Sequence, residues 1–144
     1  MKNLYLIASL SGQRIAFDVA CVDSVVNVAA ITPAPLAPPH VCGLAALRSR
    51  VITMIDCRTA LALDSGPKPD VKRTIVVNLD GHQYGLIVDQ VEDVCAIAGG
   101  TAPVRARLGK GWARAAIGML DHEGQSILLL DPAVVVSGSV AVGA

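Results

Sequence analysis

The sequence predicts a mainly β protein made of two small, similar barrels, each of about five short strands, joined along an apolar seam. Three observations predict it. The 144 residues are 53% hydrophobic yet include only one Trp, one Phe and two Tyr, so the core is aliphatic. Val and Ile are abundant, and β-branched side chains suit a half-buried pleated surface. The chain also repeats itself, with turn signals at matching places.

The repeat begins with a hairpin. Leu4–Val28 aligns on Arg73–Ile97 without a gap, at an offset of 69. Leu6-Ile7-Ala8 falls on Ile75-Val76-Val77, and Ile15-Ala16-Phe17 falls on Tyr84-Gly85-Leu86. Between them, Ser11-Gly12 falls on Asp80-Gly81, a tight-turn pair in which Gly supplies a positive φ. Each copy therefore reads as strand, turn, strand. Next, Val19, Val22 and Val25 fall on Val88, Val91 and Val94. A spacing of three predicts one or two helical turns with a single buried face.

The later halves match at an offset of 75: Gly43 on Gly118, Ile52 on Ile127, Asp56 on Asp131. Val51–Ile55 and Ile127–Leu130 read as buried strands ending at an acid, followed by short terminal segments. Residues 1–137 then form a single domain. Its first barrel repeat spans about 4–64 and its second about 70–136, with strand exchange between them possible. Ser65-Gly66-Pro67-Lys68-Pro69 reads as the linker, and 138–144 as a flexible tail. Gly12, Gly43, Gly81 and Gly85 are assigned structural turn roles, Gly43 also allowing close backbone approach. Repeats this small are marginal alone, so they must share apolar surface.

Charge and motifs exclude several function classes. Lys plus Arg and Asp plus Glu both total 12, a poor footprint for phosphate neutralisation, so no nucleic-acid partner is expected. Ser24–Leu47 is uncharged but holds four prolines, which disqualify a spanning helix, and no membrane insertion is expected. The apolar run after Lys2 is read as a strand, not a signal peptide, and the protein as cytoplasmic. Cys21, Cys42, Cys57 and Cys95 form no C-x-x-C pair and read as reduced, buried thiols. His40, His82 and His122 lack ligand-like spacing, so no metal or cofactor is expected. Asp56 and Asp131 are repeat mates, and a twofold sets such mates apart, against a catalytic pair. With no phosphate loop and no nucleophile motif, the chain reads as no enzyme.

In order along the chain, the residues resemble the CheW-like family, the coupling proteins of bacterial chemotaxis. A hairpin leads into Ile15–Val25, and Ile31-Thr32-Pro33 with Pro35 follows. Gly43-Leu44-Ala45-Ala46-Leu47-Arg48-Ser49 stands at the family's Gly and Asn-Leu-Arg-Gly signature. Asp56-Cys57-Arg58 matches Asp-Leu-Arg, and Gly85–Val94 matches Gly-x-x-Val-Asp-x-Val-x-x-Val. The resemblance implies two SH3-like five-stranded β-barrels with pseudo-twofold symmetry. It also implies two partners, the regulatory domain of a CheA-type histidine kinase and the cytoplasmic tips of chemoreceptors, with recruitment to membrane-associated receptor arrays. A stand-alone barrel tuning a histidine kinase without a chemoreceptor is the alternative. Three departures mark this chain: Ala46 and Ser49 in the signature, Ser24 where many members carry Glu, and Thr53 where Pro is common.

The expected contact residues are Val19, Val22 and Val25 on one wall of a groove between the barrels, with Val91 and Val94 in the pseudo-equivalent place; core packing is the alternative role for these valines. Leu47 and Arg48 complete the set; Arg48 leads it, because a guanidinium makes several directed hydrogen bonds and Arg is enriched at interface hot spots. The acid-free stretch Gly99–Ala116, with Arg105, Arg107, Lys110 and Arg114, is expected to be a solvated loop or, alternatively, a basic contact for an acidic partner surface.

Overall fold

The structure, a computed structural model, describes residues 3–63, 72–98, 101–103 and 109–138. Ten strands form two five-stranded sheets among these residues. From the first half come β1 (Asn3–Leu10), β2 (Gln13–Asp18), β3 (Val22–Val28), β4 (Val41–Leu47) and β5 (Arg50–Asp56). From the second come β6 (Lys72–Leu79), β7 (His82–Val88), β8 (Gln90–Ile97), β9 (Ala116–His122) and β10 (Gln125–Leu130). Three short helices are α1 (Cys57–Ala60), α2 (Lys110–Ala115) and α3 (Pro132–Ser137).

The strand orders are β8-β1-β2-β10-β9 and β3-β6-β7-β5-β4. Advancing each strand of the first order by one half-chain gives the second, so the duplication read from sequence is a symmetry of the fold. Neither sheet belongs to one half alone. The β1–β2 hairpin sits with β8, β9 and β10, and the β6–β7 hairpin with β3, β4 and β5. A parallel pairing joins the donated hairpin to its host in each sheet: Leu128 opposite Ile15, and Met54 opposite Gly85.

Alternation along the strands builds three apolar clusters. Tyr5, Ile7, Leu120 and Ile127 fill the inner face of one sheet; Ile52, Met54 and Val76 fill that of the other. The largest cluster takes the opposite faces of both sheets. Leu6, Ala8, Ile15 and Phe17 meet Ile55, Ile75, Val77 and Leu86 there, with Val135 of α3. This is the seam, and it makes each half depend on the other for burial.

The helical turns expected over Val19–Val25 and Val88–Val94 are absent. Val19–Cys21 is a single 3-10 turn, and the rest is strand. The spacing of three comes from β-bulges. Val22 faces Val77 and Ser24 faces Val76, so Asp23 is an extra residue and Val25 comes opposite Ile75. Val91 faces Ala8 and Asp93 faces Ile7, so Glu92 is the extra one. A bulge turns the strand's period of two into a local three.

The glycine assignments divide. Gly12 and Gly81 hold turns, both with φ 81, after Ser11 and Asp80 in the same left-handed region. Gly43 and Gly85 are not turn residues but lie inside β4 and β7. A Cβ on Gly43 would stand 2.1 Å from the Thr32 carbonyl oxygen, because Thr32 bridges to Leu44 across it. Gly118 has the same place in the second half, under Ala102. At Gly85 a Cβ would meet Met54 Sδ at 2.7 Å. Lys110–Ala115 is helix α2, not loop, and Arg114 donates to the Ala60 carbonyl at 3.0 Å. Arg105 and Arg107, the 65–69 linker and the tail after Gly138 lie outside the described residues.

Candidate functional site

Three turns and bulges converge at one end of the β3-β6-β7-β5-β4 sheet. The β4–β5 hairpin closes there through Arg48 and Ser49, β3 makes its bulge at Asp23, and β7 starts with Gln83 near its first residue. Between them lies a shallow polar recess lined by Asp23, Ser24, Leu47, Arg48, Arg50 and Gln83. Leu47 packs partly into the sheet's inner cluster, while Arg48 and Arg50 are exposed. Asp23 Oδ2 accepts from Ser24 Oγ at 3.3 Å. Among the described residues Arg48 and Arg50 form no ion pair. Arg48 has φ 50 and Ser49 φ 69, so both turn residues are left-handed without a glycine.

The expected valine wall is mostly seam. Val22, Val25 and Val91 are half-buried against the large cluster, and Val19 is half-buried in its 3-10 turn. Val94 alone of the set is exposed, at 47%. Other exposed apolar side chains are Leu4 on β1, Leu44 and Val51 on β4 and β5, Ile117 on β9, and Leu36, fully exposed with φ 64 in the proline-rich segment.

Several other polar groups serve as caps and ties. Asp56 accepts from the Arg58 backbone N–H and Asp131 from that of Ala133, each capping a short helix. The Arg58 side chain forks onto Asp89 at 3.1 and 2.7 Å, and Asp89 also accepts from the Ser11 backbone at 2.8 Å. That cluster ties α1, the β7–β8 junction and the β1–β2 turn together across the seam. His40 is buried and its Nε2 donates to the Val136 carbonyl at 2.7 Å, fastening α3. None of the four cysteines is in a disulfide; only Cys57 is buried as expected, while Cys21, Cys42 and Cys95 are half-buried. Burial, with lesser contributions from Asp56, Cys42 and Asp89, pushes the Cys57 thiol well above its ordinary range. Among the described residues no cluster of three or more His, Cys, Asp or Glu side chains has metal-site geometry.

A family model described as a CheW-like domain matches residues 4–139, nearly the whole of this paired-sheet fold. The chain belongs to the CheW-like family. Its relatives include the chemotaxis protein CheW of Rhizobium meliloti (strain 1021), 29% identical over 133 residues, covering 83% of each chain. The chemotaxis protein CheW of Bacillus subtilis (strain 168) is 29% identical over 92 residues, 64% of this chain and 59% of that one. Among solved structures, the scaffolding protein TtCheW from Thermoanaerobacter tengcongensis superposes with a TM-score of 0.81 at 25% identity, covering 91% of this chain and 90% of its own. Its likeness accounts for the mainly β, SH3-like architecture.

Sequence reasoning singled out Arg48 and Leu47 and marked Ser24 as a departure, but it gave no role to Arg50 or Gln83. These come from different strands, and no linear pattern joins them. An acid at the bulge residue in both repeats, Asp23 and Glu92, is the signal that marks the place.

Proposed function

We propose that this CheW-like chain is a non-enzymatic adaptor that couples chemoreceptors to a CheA-type histidine kinase. The supporting observation is a two-lobed fold whose polar side chains serve as caps and ties, while its free cations and exposed apolar groups lie on the surface. Such a molecule offers protein-sized surfaces in place of a reaction centre. In this reading the kinase's regulatory domain and the receptor's cytoplasmic tip dock on different faces, and the adaptor works at the receptor-bearing membrane. Among the described residues no helix is long and apolar enough to cross a membrane. Leu47, Arg48 and the exposed Val94 are the contact residues favoured here; Val22, Val25 and Val91 act by holding the seam, and Val19 by forming the 3-10 turn before β3.

Titration calorimetry with the full chain, the kinase and a receptor-tip fragment tests this. Micromolar or tighter binding to both partners is expected, and binding to neither refutes it. Binding to the kinase alone would point to a kinase regulator working without a receptor. Arg48→Ala is expected to weaken binding while leaving the melting temperature unchanged, because the side chain makes no described hydrogen bond.

A further inference from the structure

The two pseudo-equivalent ends of the molecule carry opposite charge. Each residue of the recess has a counterpart at the end of the other sheet. Asp23 and Ser24 correspond to Glu92 and Asp93, and Gln83 corresponds to Arg14. Leu47, Arg48 and Arg50 correspond to His122, Glu123 and Gln125. The recess therefore holds two arginines against one aspartate. The counterpart end holds three carboxylates against one arginine.

The two ends also differ in how their charges are satisfied. At the counterpart end the Arg14 guanidinium forks onto Glu92, with Nε and Nη2 at 3.1 and 3.0 Å from its two oxygens, and its Nη1 donates to Gln125. Gln83 stands where that bridging arginine stands, so the recess has no cross-link. Arg48 and Arg50 face solvent without a carboxylate of their own, and Ser24 supplies only a hydroxyl. The counterpart end thus displays the Arg–carboxylate fork that the recess leaves open.

From this we infer that the Arg48–Arg50 recess receives a carboxylate side chain from an acidic surface of the protein partner. The inference rests on the adaptor reading and specifies the partner chemistry of one of its faces. A planar guanidinium fork matches a carboxylate in two-point contact, which a lysine cannot reproduce. Two cations on one exposed rim also attract an acidic surface over distance, so the contact should act through association rate and salt dependence. The opposite charge of the other end makes the adaptor polar, and an acidic partner is repelled there.

The test measures binding of the full-length chain to the CheA-type kinase and to the receptor tip from 50 to 300 mM NaCl, ionic strengths chosen to span about one Debye-length regime to the next. The variants are R48E/R50E, R48K/R50K and, at the counterpart end, E123R. For one of the two partners, R48E/R50E is expected to weaken binding roughly tenfold or more and to flatten the salt dependence. The lysine pair should keep the salt dependence but lose part of the affinity, and E123R should not weaken that partner. The variants at Arg48 and Arg50 should melt with the parent, since neither arginine has a partner among the described residues; if R48E/R50E does not fold, R48Q/R50Q carries the same comparison. Parent-like affinity and salt dependence in the charge-reversed variant for both partners overturns the inference and leaves the adaptor reading standing. Failure of the parent chain to bind either partner removes both.

Discussion

Replacing Ser49 by glycine should stabilise the protein. The four two-residue hairpin turns share one geometry: Ser11-Gly12, Arg48-Ser49, Asp80-Gly81 and Glu123-Gly124 all have positive φ at both positions. Three carry glycine second, with φ 81, 81 and 77; Ser49 holds φ 69 with a Cβ. That conformation costs a residue with a side chain roughly 1–2 kcal/mol. Glycine gives back about 0.5–1 kcal/mol through the larger entropy it loses on folding. The balance favours S49G by about 0.5–1 kcal/mol, an upward shift of about 2–5 °C in melting temperature for a chain of this length. Calorimetry and urea unfolding with unchanged m measure it. Gly81→Ser supplies the reverse experiment, because a Cβ there meets nothing within 4 Å and only the backbone is perturbed. A parent-like or lower midpoint for S49G, together with a neutral Gly81→Ser, would refute the reasoning.

Other consequences follow from packing and charge. Asp89→Ala leaves the Arg58 fork and the Ser11 N–H without their acceptor; a loss of about 1–2 kcal/mol in urea unfolding is expected, and no change would remove this cluster from the seam. Gly43→Ala places a Cβ 2.1 Å from the Thr32 oxygen and should cost more than about 2 kcal/mol, whereas Gly12→Ala at an open turn should cost less, so equal losses would contradict the close approach. The raised Cys57 thiol keeps its proton in the folded state. Its contribution to stability is fully present below the ordinary value of 9.0 and is lost as pH rises above it. Between pH 9 and 10.5 the parent should lose stability faster than Cys57→Ala, by up to about 1.4 kcal/mol per pH unit, and parallel profiles would show that the thiol is not the cause.

The duplication was legible in the sequence because turn chemistry and buried alternation are local. Ser11-Gly12 and Asp80-Gly81 mark their hairpins, and Asp56 and Asp131 mark the caps that follow. The bulged strands were misread because Val-x-x-Val-x-x-Val has the same periodicity whether a helix or one extra residue produces it; the β-branched composition was the better guide. Helix α2 was missed inside a glycine-rich stretch. Gly111 is there for tertiary reasons, since a Cβ would stand 1.7 Å from the Leu61 carbonyl oxygen. Strand order was not legible: the β1–β2 hairpin has the same local sequence whichever half it completes, and only the seam decides. The recess joins Asp23 of β3, Gln83 of β7 and Arg48 of the β4–β5 turn, so it appears only after that pairing is known.

The most direct test of the adaptor account is a sedimentation assay with receptor-bearing membranes, the CheA-type kinase and this chain. The kinase should pellet with the membranes in proportion to the chain added, and stay in the supernatant without it. Kinase recovery that ignores the chain at every concentration would contradict the account.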